Sequence, residues 1–357
     1  MTDASAAEIQ DLRAAISGLL ARSARSDDAE VDGGQAADRA LWSRLEAADM
    51  TLVSVAEQAG GSGGGLIAAG AVLEAVGASG ARVPVAEAIL SGWLLSAGGL
   101  GIPAGMITTG VTSAVAEQAG AGWRVRGQAA RVAYGRDAEF LVVLAAAATG
   151  DVVAMIPRAA LTVVPGTNMA GEARDDLSFA CDLDRSHVAP APPSAARELL
   201  LRGGLSRALM VGGALDRALE LTVAYAKERR QFGRPIGSFQ AVQQSVAEMA
   251  AEVAAARTGA RSALASCAEH GFSAPASAVA VAAAKVLSVQ AAGSGARIAH
   301  QVHGAIGLTK EHALHRVTTR LWSWRAEWGG ELRWTDELAE LVVSAEPYRG
   351  WSAITAR

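Results

Sequence analysis

Apolar positions along the chain change their period twice. Over residues 1–105 they follow a helical rhythm broken by glycine. Segments 8–21, 36–48 and 66–76 carry helix formers. The intervening EQAGGSGGG at 57–65 cannot stay helical, because each interior glycine disfavours a helix by roughly 1 kcal/mol. Over 106–190 the period shortens to two. Trp123 and Val125 alternate with Arg124 and Arg126, and 140–144, 152–156, 161–164 and 177–183 are short apolar or alternating runs. Turn residues such as Gly135-Arg136-Asp137 and Thr149-Gly150-Asp151 separate them, and this spacing predicts a small β-barrel or sandwich. Over 191–357 the helical rhythm returns. Leu201, Leu205, Leu209, Gly212, Leu215 and Leu219 form one stripe, with Ser194 placed as its N-cap. Ser238 is expected to open a second helix striped by Val242, Val246, Met249 and Val253. Pro275 stands near the start of a third, where its missing N–H does little harm. Leu314, Val317, Leu321 and Trp324 stripe a fourth. The expected architecture is mainly α with a β-domain: an N-terminal helical domain at 1–105, a small β-barrel at 106–190, and a C-terminal four-helix bundle at 191–357.

Composition narrows the function classes. The 357 residues are 51% hydrophobic and 19% charged, with 39 Gly, which predicts a folded chain with close helix contacts. The 32 basic and 36 acidic residues are mixed along the chain, and no basic block is interleaved with aromatics, so no nucleic-acid partner is expected. The opening MTDASAAEIQDL lacks a basic region leading into an apolar one, and uninterrupted apolar runs such as FLVVLAAAA at 140–148 fall short of the roughly 20 residues that span a bilayer. Neither a secretion signal nor a membrane span is expected. Two cysteines, Cys181 and Cys267, make neither a disulfide framework nor a metal cluster, so the reducing cytoplasm is the expected compartment. His312 and His315 have metal-ligand spacing without further ligands nearby, and are read as surface or contact residues. Five of the eight Trp follow position 320, where packing is the default role.

Two segments carry chemistry. Residues 226–240 read AKERRQFGRPIGSFQ, with a planar guanidinium at Arg229, a flat apolar ring at Phe232 and a glycine at Gly233 that permits close approach. Residues 301–311 read QVHGAIGLTKE, with Gln301 as a side-chain donor and Gly304 and Gly307 as approach points. In this order, and separated by two predicted helices, the segments closely resemble the signatures of the acyl-CoA dehydrogenase family. The resemblance implies an FAD cofactor, an acyl-CoA substrate and α,β-desaturation of its thioester. It also implies that Arg229, Phe232 and Gln240 contact the FAD held mainly by a neighbouring subunit, and that Gln301, Gly304 and Ala305 lie along its adenosine and pyrophosphate.

The chain departs from the family where the chemistry should occur. The family's base is a carboxylate after the fourth bundle helix, and the matching position here is Trp328, followed by Gly329. Glu327 is one residue off, a rotation of about 100° on a helix. Some members place the base on the first bundle helix; that position is Gly203, and 201–207 holds no acid. The family's Thr-Glu-Pro-Gly-Ala-Gly-Ser-like stretch is matched to 115–122 (VAEQAGAG), and the flavin-facing Trp and Thr to Arg131 and Ala133. Gly330 and Glu331 replace the Thr and Ser after the base. The resemblance therefore implies a base-lacking subunit, with no catalytic residue of its own, in a heteromer of the kind that acts on steroid side chains in actinobacteria, completing a second subunit's FAD site. The alternatives are a homotetramer using Glu327 and a scaffold that binds no flavin.

Overall fold

The computed structural model describes residues 6–24, 36–309 and 311–343. The first five residues of the opening segment, Lys310 of the second motif and Trp351 lie outside the described residues. The described residues of Met1–Val72 and Ala81–Gly203 form one compact unit, and those of Leu73–Gly80 and Gly204–Arg357 a second.

The first unit opens with α1 (Ala6–Ala24) and α2 (Arg39–Ala47). Asp38 caps α2, accepting a 2.8 Å bond from the Leu41 N–H, which sets its start three residues later than the sequence predicts. The glycine-rich 57–65 segment holds only a single 3₁₀ turn before α3 (Gly65–Ser79). Helix α4 (Val85–Ala97) is buried on nearly every side, Glu87 and Ser91 included. All-round burial removes the amphipathic stripe, which is why the sequence did not delimit it.

Eight strands follow: β1 (Ile107–Thr109), β2 (Thr112–Ala119), β3 (Gly122–Ala133), β4 (Phe140–Ala145), β5 (Val152–Pro157), β6 (Leu161–Val164), β7 (Arg174–Leu183) and β8 (Val188–Pro190). They make two four-stranded sheets, ordered β1-β4-β5-β8 and β2-β3-β7-β6. Val125, Val132, Leu177 and Phe179 of one sheet pack with Leu141, Val143, Val152 and Ile156 of the other. The sheets touch at one corner, where Val115 and Ala146 form a single bridge. The domain is therefore a two-sheet sandwich rather than the expected barrel: the ladder does not close, and four edge strands remain. Residues 115–122 are the inner arms and turn of a tight β2–β3 hairpin, paired from Val115↔Arg126 to Ala119↔Gly122, so they form no wrapping loop. The β3–β7 pairing shifts register between Ala129 and Val132, and Arg131 sits in this bulge with φ +55°.

Three long helices follow, of which the second unit holds the first from Gly204 onward and the other two whole. Helix α5 runs Ala195–Glu228, α6 runs Gln240–His270 and α7 runs Pro275–His303. Ser194 directly precedes α5, but Ser238 is not a cap: its hydroxyl bonds the Pro235 carbonyl, and Phe239 stands at the α6 N-cap without a capping side chain. Helix α7 has the length and hydropathy of a bilayer span, but 61% of that window is buried, as a bundle's core helix requires. The expected fourth helix is α8 (Leu314–Trp324), and a further helix the sequence did not delimit, α9 (Glu331–Val343), follows it after a break. The break falls at Trp328 and Gly329, with φ of +56° and +99°. Trp324 and Trp334 are fully buried.

Candidate functional site

At one end of the bundle, α5 ends, α6 begins and α7 ends. Between α5 and α6 the chain makes a two-stranded ribbon, β9 (Arg230–Gln231) and β10 (Arg234–Pro235). Its two turn residues, Phe232 and Gly233, both have positive φ (+51° and +80°), the geometry that matches strand twist in a two-residue hairpin. Glycine adopts this freely; phenylalanine does so under strain, and its ring is 91% exposed. The neighbouring arginines divide their work. Arg230 donates to the Gly233 carbonyl at 3.0 Å, and Arg234 lies 4.2 Å above the Phe239 ring. Among the described residues, the exposed Arg229 guanidinium makes no hydrogen bond or ion pair, and the exposed Gln240 and Gln301 side chains make none either.

The second motif reaches the same end. Gly304, at φ +64°, closes α7 with open space around it, and the 3₁₀ turn Gly304–Leu308 follows. Ala305 is exposed. Gly307 must be small: a Cβ there would lie 2.8 Å from the His303 Cβ and 3.3 Å from His300 Nδ1. An aromatic cluster joins the two motifs. Tyr225, in the last turn of α5, stacks on His303 at 4.5 Å, and His312 meets both rings edge-on, at 6.0 Å and 4.7 Å. From the sequence, His312 and His315 are expected as surface or contact residues; the spacing of histidines at 300, 303, 312 and 315 around the motif is the signal available.

A flavin dinucleotide presents a doubly negative pyrophosphate and flat rings. The unengaged Arg229 guanidinium, the side-chain amides of Gln240 and Gln301, and the uncapped N-terminus of α6 are donors suited to it, and Phe232 offers a flat face. These groups of the second unit fit such a cofactor presented from outside the chain. The positions matched to the flavin ring on this chain do not. Arg131 is exposed with its backbone held by Asp176, and Ala133 is buried with its carbonyl bonded by Thr108 at 2.7 Å. The β1 strand, missed in the sequence, adds Thr109, whose buried hydroxyl has no partner among the described residues.

The base positions are closed. Glu327 accepts from Arg207 of α5 at 2.7 Å, with the Arg207 side chain 3% exposed. Lys285 of α7 is fully buried and donates to the Arg325 carbonyl at 2.8 Å. Burial, and then Arg207, push the Lys285 ammonium down to about 7, against the pull of Glu327. Trp334 donates to the Trp328 carbonyl at 3.0 Å, and its indole lies 2.5 Å from where a Cβ on Gly204 would stand. Loop 325–330 is thus held at Arg325, Glu327 and Trp328. No carboxylate occupies the two positions where the resemblance would place a base.

A two-sheet β-sandwich, a bundle of long helices and this pair of motifs define a flavoprotein dehydrogenase architecture. The family model of the acyl-CoA dehydrogenase C-terminal domain matches residues 194–329, and that of the N-terminal domain matches 6–122. The chain belongs to the acyl-CoA dehydrogenase family of oxidoreductases, whose members generally bind FAD. It is 32% identical over 313 residues to the acyl-CoA dehydrogenase FadE27 of Mycobacterium tuberculosis, covering 78% of this chain and 81% of that one. The crystal structure of the ChsE4–ChsE5 complex from Mycobacterium tuberculosis superposes with a TM-score of 0.85 at 25% identity, covering 97% of this chain and all of the matched one. A variant of the Tcur3481–Tcur3483 steroid acyl-CoA dehydrogenase shares the fold, with a TM-score of 0.81 at 23% identity over 94% of this chain and 98% of the matched one.

Proposed function

We propose that the chain is the base-lacking subunit of a heteromeric, FAD-dependent acyl-CoA dehydrogenase that desaturates the α,β-bond of an acyl-CoA thioester. The observation that carries this reading is the asymmetry between two sites. The Arg229–Gln301 end of the bundle offers unengaged donors, while Glu327, the carboxylate adjacent to the expected base position, is committed to Arg207. FAD bound in the mixed assembly would supply the acceptor for the β-hydride. The α-proton goes to a carboxylate of the second subunit. This chain's residues bind and orient: Arg229 neutralises pyrophosphate charge, Gln240 and Gln301 donate to it, and Phe232 covers a flat face of the cofactor. Two matched structures are complexes of two named chains, which favours an unlike partner. The steroid description of one of them favours a bulky acyl group. A cytoplasmic site is part of the same proposal.

The test is purification with and without a family member that carries the base and an intact flavin-ring loop. A yellow, active mixed oligomer, with the single chain colourless and inactive, is the expected result. A colourless mixed complex would favour the non-flavin scaffold.

A further inference from the structure

Four of the chain's six histidines fall within residues 300–315, and the hydrogen bonds of two of them, His303 and His312, place a proton on one ring nitrogen. His303 is 3% exposed; its Nδ1–H donates to the Ala299 carbonyl at 2.7 Å, and its Nε2 is buried without a partner among the described residues. His300 Nε2 lies 2.9 Å from the Thr318 hydroxyl, which also lies 3.2 Å from the Leu314 carbonyl. The His300 Nδ1 is likewise buried beside Gly307, without a partner among the described residues. His312 accepts the Leu314 N–H on Nδ1 at 3.1 Å, so its proton sits on Nε2. A proton added to His303 would create a charged donor with no acceptor among the described residues, between a phenol ring and a second imidazole.

This cluster is also the joint between the two motifs. Tyr225 sits one helical turn before Arg229, whose backbone N–H bonds the Tyr225 carbonyl at 2.8 Å. His303 sits two residues after Gln301 and directly before Gly304. The stack of Tyr225 on His303 therefore fixes the Arg229 turn against the Gln301 turn.

We infer that His303, stacked on Tyr225 and flanked by His312, is a positioning residue that aligns the two cofactor-facing turns only while its imidazole is neutral. The inference rests on the reading of that end of the bundle as an FAD seat, and extends it to an acid-labile seat. The titratable groups against His303 are Tyr225 from α5, His300 from α7 itself, and His312 from the segment before α8, with His315 acting in turn on the other two. Among the described residues no carboxylate contributes to its titration. Burial first, then His312 and His300, hold the His303 imidazole below the ordinary histidine range, against the Ala299 bond, which raises it. The sign follows. The ordered joint is favoured above the ordinary range, and each step down through and below it transfers a proton preference to the open form. One proton linked in this way weakens cofactor retention by up to about tenfold per pH unit.

The experiment compares the mixed complex carrying wild-type chain with His303→Phe, which keeps a stacked ring and cannot titrate. Flavin release and hydrogen exchange of the 229–239 turn, corrected for intrinsic exchange, are followed from pH 8 to 5.5. Wild type should loosen the turn and lose flavin as pH falls below about 6.5, the ordinary histidine value. His303→Phe should flatten both profiles. The exchange readout needs no flavin, so a colourless complex at pH 8 would count against the FAD reading while leaving this inference measurable. An acid profile unchanged in His303→Phe overturns the inference. Should that variant fail to fold, an NMR titration of the wild-type imidazoles decides: a His303 titrating at the ordinary value, with the 229–239 resonances unmoved, overturns it equally.

Discussion

Half-buried Glu327 and fully buried Lys285 separate structural from catalytic roles residue by residue. Glu327 accepts from a guanidinium that is almost fully buried. Glu327→Gln keeps the shape and one acceptor but removes the charge, so it should lower the stability of the chain by about 1–3 kcal/mol, the range for weakening a bond to a charged group. Activity of the mixed complex should stay within a few-fold, where loss of a general base lowers the rate by roughly 10²–10⁴. Steady-state turnover beside a denaturant midpoint distinguishes the two, and a rate loss in that range with intact flavin would return the base to Glu327. Lys285 makes the converse case. Its folded value is about 7 against an ordinary 10.5. Between those values the unfolded chain holds a proton that the folded chain releases, so stability is highest above pH 10.5 and is lost as pH falls towards 7. Lys285→Met should therefore raise stability at pH 7 by about 1–4 kcal/mol, as when buried charges are replaced by apolar groups of similar size. The gain should shrink as pH approaches 10.5; melting curves across that range check it, and a gain independent of pH would contradict the burial of a titrating amine.

Helices in the second unit meet through glycines, and the crossings set sharp limits on substitution. A Cβ on Gly213 of α5 would lie 2.0 Å from the Glu74 carbonyl oxygen, and one on Gly77 would lie 2.1 Å from the Met210 carbonyl oxygen. Backbone cannot move aside as a side chain can. Gly213→Ala should thus destabilise by at least about 1–3 kcal/mol, the usual effect of overpacking. Gly212 sits one residue away, with its nearest neighbour 4.0 Å off, the Arg257 Cα. Gly212→Ala should be tolerated and even stabilising, by up to about 1 kcal/mol, because alanine favours the helix. Unfolding midpoints of the two variants provide the check, and equal effects would refute the crossing geometry. Elements with a clean period were legible in sequence: the α5 stripe from Leu201 to Leu215 is buried as expected. Those without one were not. Helix α4 is buried all round, β1 is three residues long, and the α8–α9 break depends on positive φ at Trp328, which no pattern encodes. The sandwich was mistaken for a barrel because closure depends on which edges pair, and strand runs do not record that. At the candidate site, Arg229, Phe232 and Gln301 stood out through their motifs. The Tyr225–His303–His312 joint did not, since its members come from three segments and only packing unites them.

The chain as a whole presents a set of unengaged donors at one end of the bundle and a closed base site, and under the proposed function this asymmetry makes a claim about assembly. Arg229, Gln240 and Gln301 are exposed donors with nothing among the described residues to receive them, and Phe232 holds a strained backbone to present its ring. Exposed groups of this kind gain their value from a neighbour. Arg131 and Ala133 occupy the positions where the chain's own flavin ring would need an aromatic face and a hydroxyl. Expressed alone, the chain should therefore bind little FAD and oxidise no acyl-CoA. Combined with a base-bearing family member, it should give a mixed oligomer with one FAD per pair, measurable by absorbance against protein mass. Within that oligomer Arg229→Ala should weaken FAD binding by about 1.5–3 kcal/mol, the contribution of a hydrogen bond to a charged group. The deficit should shrink with added salt if the exposed guanidinium acts through charge, since screening at 0.15 M already limits such interactions to about 8 Å. A yellow homo-oligomer with one FAD per subunit and turnover would reverse the assignment. So would an Arg229→Ala complex that holds FAD as tightly as wild type, because the donor set at this end of the bundle would then serve something other than the cofactor.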